Sequence, residues 1–571
     1  MSNQSALGHF FSLDVLDGQQ RKKDPTKKLR WQTLEFYVYY LAFIVVVPIM
    51  FYSVIVISRP SHPNYPLYQH LLEDGFGRKV DNSDTQYASF RNQIPTLAVV
   101  TVGHVALRWV FDQVVRSGNN RIRYDLAFGM IFLFVMHGTG ALKLLLISTF
   151  TYNLAKRGAG TMLNPTMTWL TVIGLLFLNE AHQGYKFTMI SPSLAPLDQW
   201  SGLQDRWHIH FNITALRLIS FNLDYYWSRR TPIKQETSKK AAAGQVSEKV
   251  RIETPAASED YSYGNFLAYV FYSPLYLAGP IITFNNYLSQ TVVRPDTITL
   301  SRTVQYALRL LVSVITMEFV LHFIYVVAMS KAHAWENLSP LQISMLGYFN
   351  LHIIWLKLLI PWRFFRLWAM MDGVETTENM IRCMSNNYSA LAFWRAWHRS
   401  FNRWILRYIY IPLSPPQALP APPSPATGSG KRKGGRLDSV VRTVLNMLCV
   451  FTFVALWHDI SLTLLTWGWL VVLFLVPELV LTRFAAPYRS RGWYRYLSSV
   501  GAVGTILSMM AANLVGFCVG LEGLGSMVAL MFGSVGGFFV LAASCASLFV
   551  GVQIMFEVRE DEAARGINLR C

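Results

Sequence analysis

Between Phe36 and Ser58 the chain runs for the length of a bilayer crossing without one charged side chain, and similar runs recur almost to its end. About 20 apolar residues in helical form span a hydrocarbon core of roughly 30 Å. Backbone groups there cannot reach water and must pair within the segment, so such runs fold as helices. Further spans or near-spans are expected at roughly 94–112, 125–150, 162–180, 206–226, 262–290, 303–329, 341–370, 440–457, 461–482, 496–519 and 527–556. Nothing alternates with the period of a membrane barrel. The reading is an all-α, polytopic membrane protein with about 11 or 12 membrane elements.

Composition agrees, because charged residues make up only 15% of the chain where soluble domains carry nearer a quarter. The net charge of +18 raises nucleic acid as a partner, but the basic residues are dispersed over short loops between apolar spans. Anionic lipid headgroups account for that placement, and no nucleic acid is expected. Three of the five cysteines, Cys449, Cys518 and Cys545, lie inside apolar spans, which excludes a disulfide framework.

Residues 1–34 read as a basic polar tail without the form of a cleavable signal peptide. Residues 35–556 read as one multispan membrane domain with flexible loops at 227–261 and 414–438, and 557–571 as a polar C-terminal tail. The positive-inside rule favours a cytosolic N-terminal tail, although the loop 59–93 is partly basic too. Between Tyr263 and Leu288 the apolar run contains Pro274, Gly279 and Pro280. Proline breaks helical hydrogen bonds, so a broken or re-entrant element is expected, buried in protein or lining a cavity.

Two stretches carry the candidate chemistry. On an ideal helix, Phe393 to Leu413 sorts into an aromatic row (Phe393, Trp397, Phe401, Trp404, Tyr408) and a cationic row (Arg395, Arg399, Arg403, Arg407). Trp394, His398 and Asn402 fall between them. Such a helix suits a bilayer interface, rings toward acyl chains and guanidiniums toward phosphates. The second stretch, Leu456-Trp457-His458-Asp459, closes an apolar run with a histidine. Two histidines at a membrane boundary suit proton chemistry on a lipid-like substrate.

Other ionisable groups lie within apolar runs and are weighed against these. His104 with Arg108, His137 with Lys143, and Glu318 with His322 are expected to satisfy one another inside a bundle; Glu318 with His322 is the best substitute site. His208 and His210, two residues apart with no third ligand nearby, make a poor zinc pair, and no metal is expected. Asn212, Asn337 and Asn387 begin N-x-S/T tripeptides, a pattern common by chance.

The combination FWRAWH at 393–398, Trp404, RYIYIPL at 407–413 and a distal Trp457-His458 resembles the membrane-bound O-acyltransferase family. So does the segment Ala278-Gly279-Pro280-Ile281. RKVD at 78–81, YASFRNQIP at 87–95, FNLDYYW at 221–227 and the run from Gly279 to Asn286 resemble the fungal glycerol-uptake branch, whose members are implicated in acylating lyso-GPI anchors in the endoplasmic reticulum. The chain departs from many relatives at Ser414-Pro415-Pro416, where a proline-rich insertion follows Leu413.

The resemblance implies a helical bundle with re-entrant elements and a central tunnel, acyl-CoA as co-substrate, and no required cofactor. It places His458 on the family's near-invariant histidine and His398 on the second active-site position. Neutral imidazole can take the acceptor's hydroxyl proton near neutral pH, so His458 is read as the general base, with Asp459 as its orienting partner. His398 would hold the acceptor or polarise the thioester, supported by Asn402; Trp394, Trp397, Trp404, Trp457 and Tyr408 would shape the site. Arg395, Arg399 and Arg407 would meet phosphates, of CoA or of lipids. Cys383 lies where some Hedgehog-acylating relatives ligate haem. A proton-coupled carrier of glycerol or another polyol, and a protein acyltransferase, are the competing readings; the residues leave the oligomeric state open.

Overall fold

The computed structural model describes residues 29–115, 120–230, 247–414, 436–567 and 569. The basic clusters at 21–28, the centre of the 227–261 loop and most of the proline-rich insertion lie outside those residues. The chain forms α1 (Leu34–Ile57), α2 (Thr85–Val114), α3 (Asn120–His137), α4 (Gly140–Arg157), α5 (Leu163–His182), α6 (Trp207–Ser228), α7 (Tyr263–Val270), α8 (Ser273–Tyr276) and α9 (Phe284–Val292). It continues with α10 (Leu300–Phe323), α11 (Pro340–Met371), α12 (Ala390–Ala396), α13 (Arg399–Ile405), α14 (Arg436–His458), α15 (Leu462–Ala485), α16 (Tyr494–Phe517), α17 (Gly520–Phe532) and α18 (Val535–Ala564). Shorter turns join these, and a two-stranded hairpin pairs Glu73–Asp74 with Lys79–Val80.

Among the described residues, eight helices are long and apolar enough to cross a membrane: α1, α2, α10, α11, α14, α15, α16 and α18. Some expected spans are divided. The run 125–150 breaks into α3 and α4, which puts His137 and Lys143 on different helices. The break falls at Gly138, whose φ is +54°, and a Cβ there would stand 2.1 Å from the Trp200 carbonyl oxygen. No side chain fits so close a backbone approach, and glycine ends the helix. The run 527–556 divides likewise between α17 and α18. Residues 557–564, expected as a polar tail, continue α18, because their charges find partners: Glu557 pairs with Arg495 at 3.0 Å and Glu562 with Arg382 at 2.7 Å.

From Thr214 to Tyr226 helix α6 is enclosed by protein, with every residue buried. A helix with no solvated face needs partners for each polar group it carries. Arg217 donates to the carbonyls of Tyr269 (3.1 Å) and Val270 (2.6 Å) at the end of α7. The carbonyls lie where the broken element turns and helical pairing runs out. The expected break is thus present and buried, as α7, α8 and α9 with an irregular link through Gly279 and Pro280.

Two large apolar cores result. One gathers α3 to α9 with Phe401, Trp404, Tyr408 and Trp457; the other gathers α1, α10 and α11, with Trp362 and Trp397 packed against it. The segment 372–382 passes between helices without regular structure, yet buried throughout most of its length. Its acids are neutralised: Glu375 by Arg302 (2.5 Å) and Arg366 (3.2 Å), Glu378 by Arg366 (2.7 Å), Asp372 by Arg108 (2.5 Å) and Arg121 (2.7 Å).

Candidate active site

The stretch from Phe393 to Leu413 is not the single interfacial helix its periodicity suggests. Ser389 caps α12, accepting from Ala392 N at 3.1 Å, and the Glu478 carboxylate accepts from Ala390 N at 2.8 Å. The helix stops at Trp397, whose extended backbone bridges to Met380, and His398 turns into the left-handed region with φ +45°. Helix α13 follows, then a π-helical turn at Leu406–Tyr410. Each break rotates the face that the next residues present, so the rows of an ideal helix do not persist.

The rings therefore enter the core rather than lipid. Trp404 and Tyr408 are each 1% exposed. Trp404 donates its indole N–H to the Leu216 carbonyl at 3.1 Å, and Tyr408 stacks on Trp227. The arginines are mostly engaged in protein. Arg407 pairs with the buried Asp224 at 2.7 Å, and Tyr408 donates to the same carboxylate oxygen at 3.0 Å. A π turn adds a residue to the helix, and both neighbours reach Asp224 from it. Arg403 pairs with Glu248 at 2.5 Å, and Arg399 donates its backbone N–H to the Asn379 carbonyl. Arg395 is exposed and has no hydrogen bond or ion pair among the described residues.

His398 and His458, 60 positions apart in sequence, open on one cavity of about 570 Å³. This falls within the range of small-molecule sites. Trp362 stacks on the His398 ring at 4.4 Å, and Phe401 neighbours both histidines, 5.2 Å from His398 and 6.5 Å from His458. The Phe401 ring also packs on Trp457 at 4.4 Å. Among the described residues neither imidazole has a hydrogen-bond partner, and His458 presents its ring to the open space of the cavity. Both are thus free for a ligand. Trp394, Arg395, Trp397, Asn402 and Trp457 also line the cavity; Trp404, Arg399, Arg407, Tyr408 and Asp459 do not.

Asp459 does not orient His458. It is exposed beyond the end of α14 and makes no side-chain hydrogen bond to the imidazole. The neighbouring Trp457 is held instead by Asn212, whose amide donates to the Trp457 carbonyl while the Trp457 indole donates to the Asn212 carbonyl.

The other ionisable groups expected to satisfy one another each find a partner for at least one polar atom, mostly one other than their spacing suggests, although the Nε2 of His322 is buried without one, as is the Nδ1 of His210. Arg91 makes a bidentate pair with Glu318 at 2.6 and 2.7 Å. His322 bonds the Glu318 carbonyl at 2.6 Å. His104 accepts from the Trp368 indole, Arg108 pairs with Asp372, His137 bonds Tyr276, and Lys143 donates to the Tyr185 carbonyl. Asn212 and Asn387 both spend their side-chain amides on protein carbonyls. Among the described residues no three histidine, cysteine or acidic side chains gather as a metal site, and His210 lies beside His137 and Tyr276 instead. Cys383 borders neither the 570 Å³ cavity nor the 70 Å³ pocket that adjoins it.

Several contributors were not singled out by sequence reasoning. Glu478, next to Pro477 in an apolar span, carried the usual signal of an intramembrane acid. Asp224 sat within a matching stretch without being weighed, Asn212 was noticed only as the start of an N-x-S/T tripeptide, and Asn379 carried no signal of its own.

Residues 163–420 and 431–521 match the pattern of the membrane-bound O-acyltransferase family. The chain is similar over its whole length to two proteins named membrane-bound O-acyltransferase GUP1. It is 44% identical to that of Candida tropicalis, covering 97% of it, and 45% identical to that of Saccharomyces cerevisiae, covering 100%. A narrower likeness, 27% over 38% of this chain and 40% of the relative, is to the mouse protein-cysteine N-palmitoyltransferase HHAT.

Proposed function

Because the chain belongs to the membrane-bound O-acyltransferase family and is a multi-pass acyltransferase, we propose that it moves a long or very long fatty acyl chain from acyl-CoA to a lyso-lipid hydroxyl. The acceptor is the sn-2 hydroxyl of a lyso-GPI anchor, and the membrane is that of the endoplasmic reticulum. The observation that carries the reading is the opening of His398 and His458 on one largely apolar cavity, with the Phe401 ring beside both.

His458 takes the acceptor's hydroxyl proton as the oxygen attacks the thioester carbonyl. The C–O bond forms, the C–S bond breaks, and the proton passes from the imidazolium to the departing CoA thiolate. Neutral imidazole is competent for both transfers near neutral pH. His398, fixed by its stack on Trp362, donates to the thioester carbonyl or holds the acceptor, and Asn402 supplies a further donor one turn on. Aromatic rings from Trp394, Trp397 and Trp457 surround the acyl group and exclude water, which would otherwise hydrolyse the thioester. Arg395, unpaired at the cavity wall, meets a substrate phosphate.

The test is acyl transfer by purified protein in nanodiscs with labelled long-chain acyl-CoA and lyso-GPI or lysophosphatidylinositol. Formation of the diacyl product supports the reading. Transfer to a peptide acceptor in its place would move the assignment toward the activity named for the mouse relative. Glycerol accumulation by vesicles, without any acyl transfer, would overturn it.

A further inference from the structure

His398 is a non-glycine residue at φ +45° and ψ +52°. Side chains rarely occupy that region unless the surroundings hold them there. The chain is pinned on both sides of it. Before it, Trp397 bridges to Met380. After it, the N–H groups of Arg399 and Ser400 both bond to one residue: Arg399 N to the Asn379 carbonyl and Ser400 N to the Asn379 side-chain oxygen, each at 3.1 Å.

Asn379 is 2% exposed, so water does not compete for either bond. It sits in the segment 372–382, whose neighbours Glu375 and Glu378 are clamped by Arg366, itself 2% exposed. From the other side, Ser400 accepts the Ile281 N–H of the broken element at 2.8 Å. The two N–H groups Asn379 receives are among the four that a helix start leaves unpaired. A right-handed His398 would rotate those N–H groups away from it and swing the imidazole off Trp362.

We infer that Asn379 is a positioning residue, which holds His398 in its left-handed turn and so aims the imidazole into the cavity between Trp362 and Phe401. The residue contacts no substrate itself; it acts through His398. The inference rests on the acyltransferase reading for its effect on rate, and on geometry alone for its effect on the ring.

The experiment uses the full-length protein in nanodiscs and compares wild type, Asn379→Asp, Asn379→Leu and His398→Ala, alone and combined. Asn379→Asp keeps the accepting oxygen and retains turnover within about threefold of wild type. Asn379→Leu, which removes it, lowers kcat at least tenfold with KM for acyl-CoA within about twofold. Added to His398→Ala it lowers the rate no further. In parallel, carbethoxylation by diethyl pyrocarbonate is read by peptide mass spectrometry. Asn379→Leu changes the rate at His398 at least threefold and leaves that at His458 unaltered. The inference is overturned by wild-type kcat in Asn379→Leu, by equal losses in the aspartate and leucine variants, or by unchanged His398 carbethoxylation. The last readout decides even where wild type transfers no acyl chain, a result that would sink the enzymatic assignment separately. Should Asn379→Leu fail to accumulate, Asn379→Ala, which also lacks the acceptor, replaces it.

Discussion

Asn212 and Trp457 exchange two hydrogen bonds, each 2.7 Å, at the turn immediately before His458. A carbonyl in the last turn of a helix has no partner within that helix, and here α6 supplies one to α14. Replacing Asn212 by leucine leaves the Trp457 carbonyl buried and unpaired. Loss of such a partner costs about 1–3 kcal/mol. Asn212→Leu is expected to lower the thermal midpoint of the detergent-solubilised protein and to cut turnover several-fold. Wild-type activity in a destabilised variant would show that the clasp serves stability alone.

His458→Ala should reduce acyl transfer by roughly the 10²- to 10⁴-fold that a positioned base contributes. The ring has no hydrogen-bond partner among the described residues and faces open cavity, so its removal leaves no group unpaired. Thermal unfolding should stay near that of wild type. A variant that unfolds early would mean the loss of rate has a structural cause.

Asp224 and Arg407 form a buried ion pair that Tyr408 shares. Removing one partner of such a pair typically costs about 3–5 kcal/mol, whereas replacing both with apolar residues is far milder. Asp224→Leu and Arg407→Met should each accumulate poorly, and the double variant should recover much of the yield and midpoint. Equal destabilisation in all three would show that an unpaired buried charge is not what sets the cost.

Glu318→Gln separates the enzyme from the carrier. Its carboxylate is occupied by Arg91 and lies outside the histidine cavity, so acyl transfer should change by less than about threefold, within the scale of a modest structural perturbation. Abolished transfer, in a protein that still folds, would move attention from the two histidines to that helix.

Helices long enough to cross a bilayer were legible because an uncharged run such as Phe36 to Ser58 admits few folds, and the broken element announced itself through Pro274 and Pro280. The convergence of His398 and His458 was legible through motif resemblance rather than through spacing. What periodicity could not show is where a helix stops for reasons set by other parts of the chain. Met380 and Asn379 end the reading of 393–413 as one helix, and neither carries a local signal. The arginine row misled for a related reason. A cation at helical spacing looks the same in sequence whether it faces headgroups or, like Arg407, a buried aspartate on another helix.

The pairing of Arg382 with Glu562, together with the bond from Arg559 to the Asn386 carbonyl at 2.8 Å, ties the end of the chain to the loop that enters the site. Synthesis runs from the N-terminus, so both histidines leave the ribosome long before the strut that steadies their approach loop. The approach loop can take this fastening only once α18 has been made. A chain truncated ahead of Arg559 would carry every cavity residue and still lack these two ties.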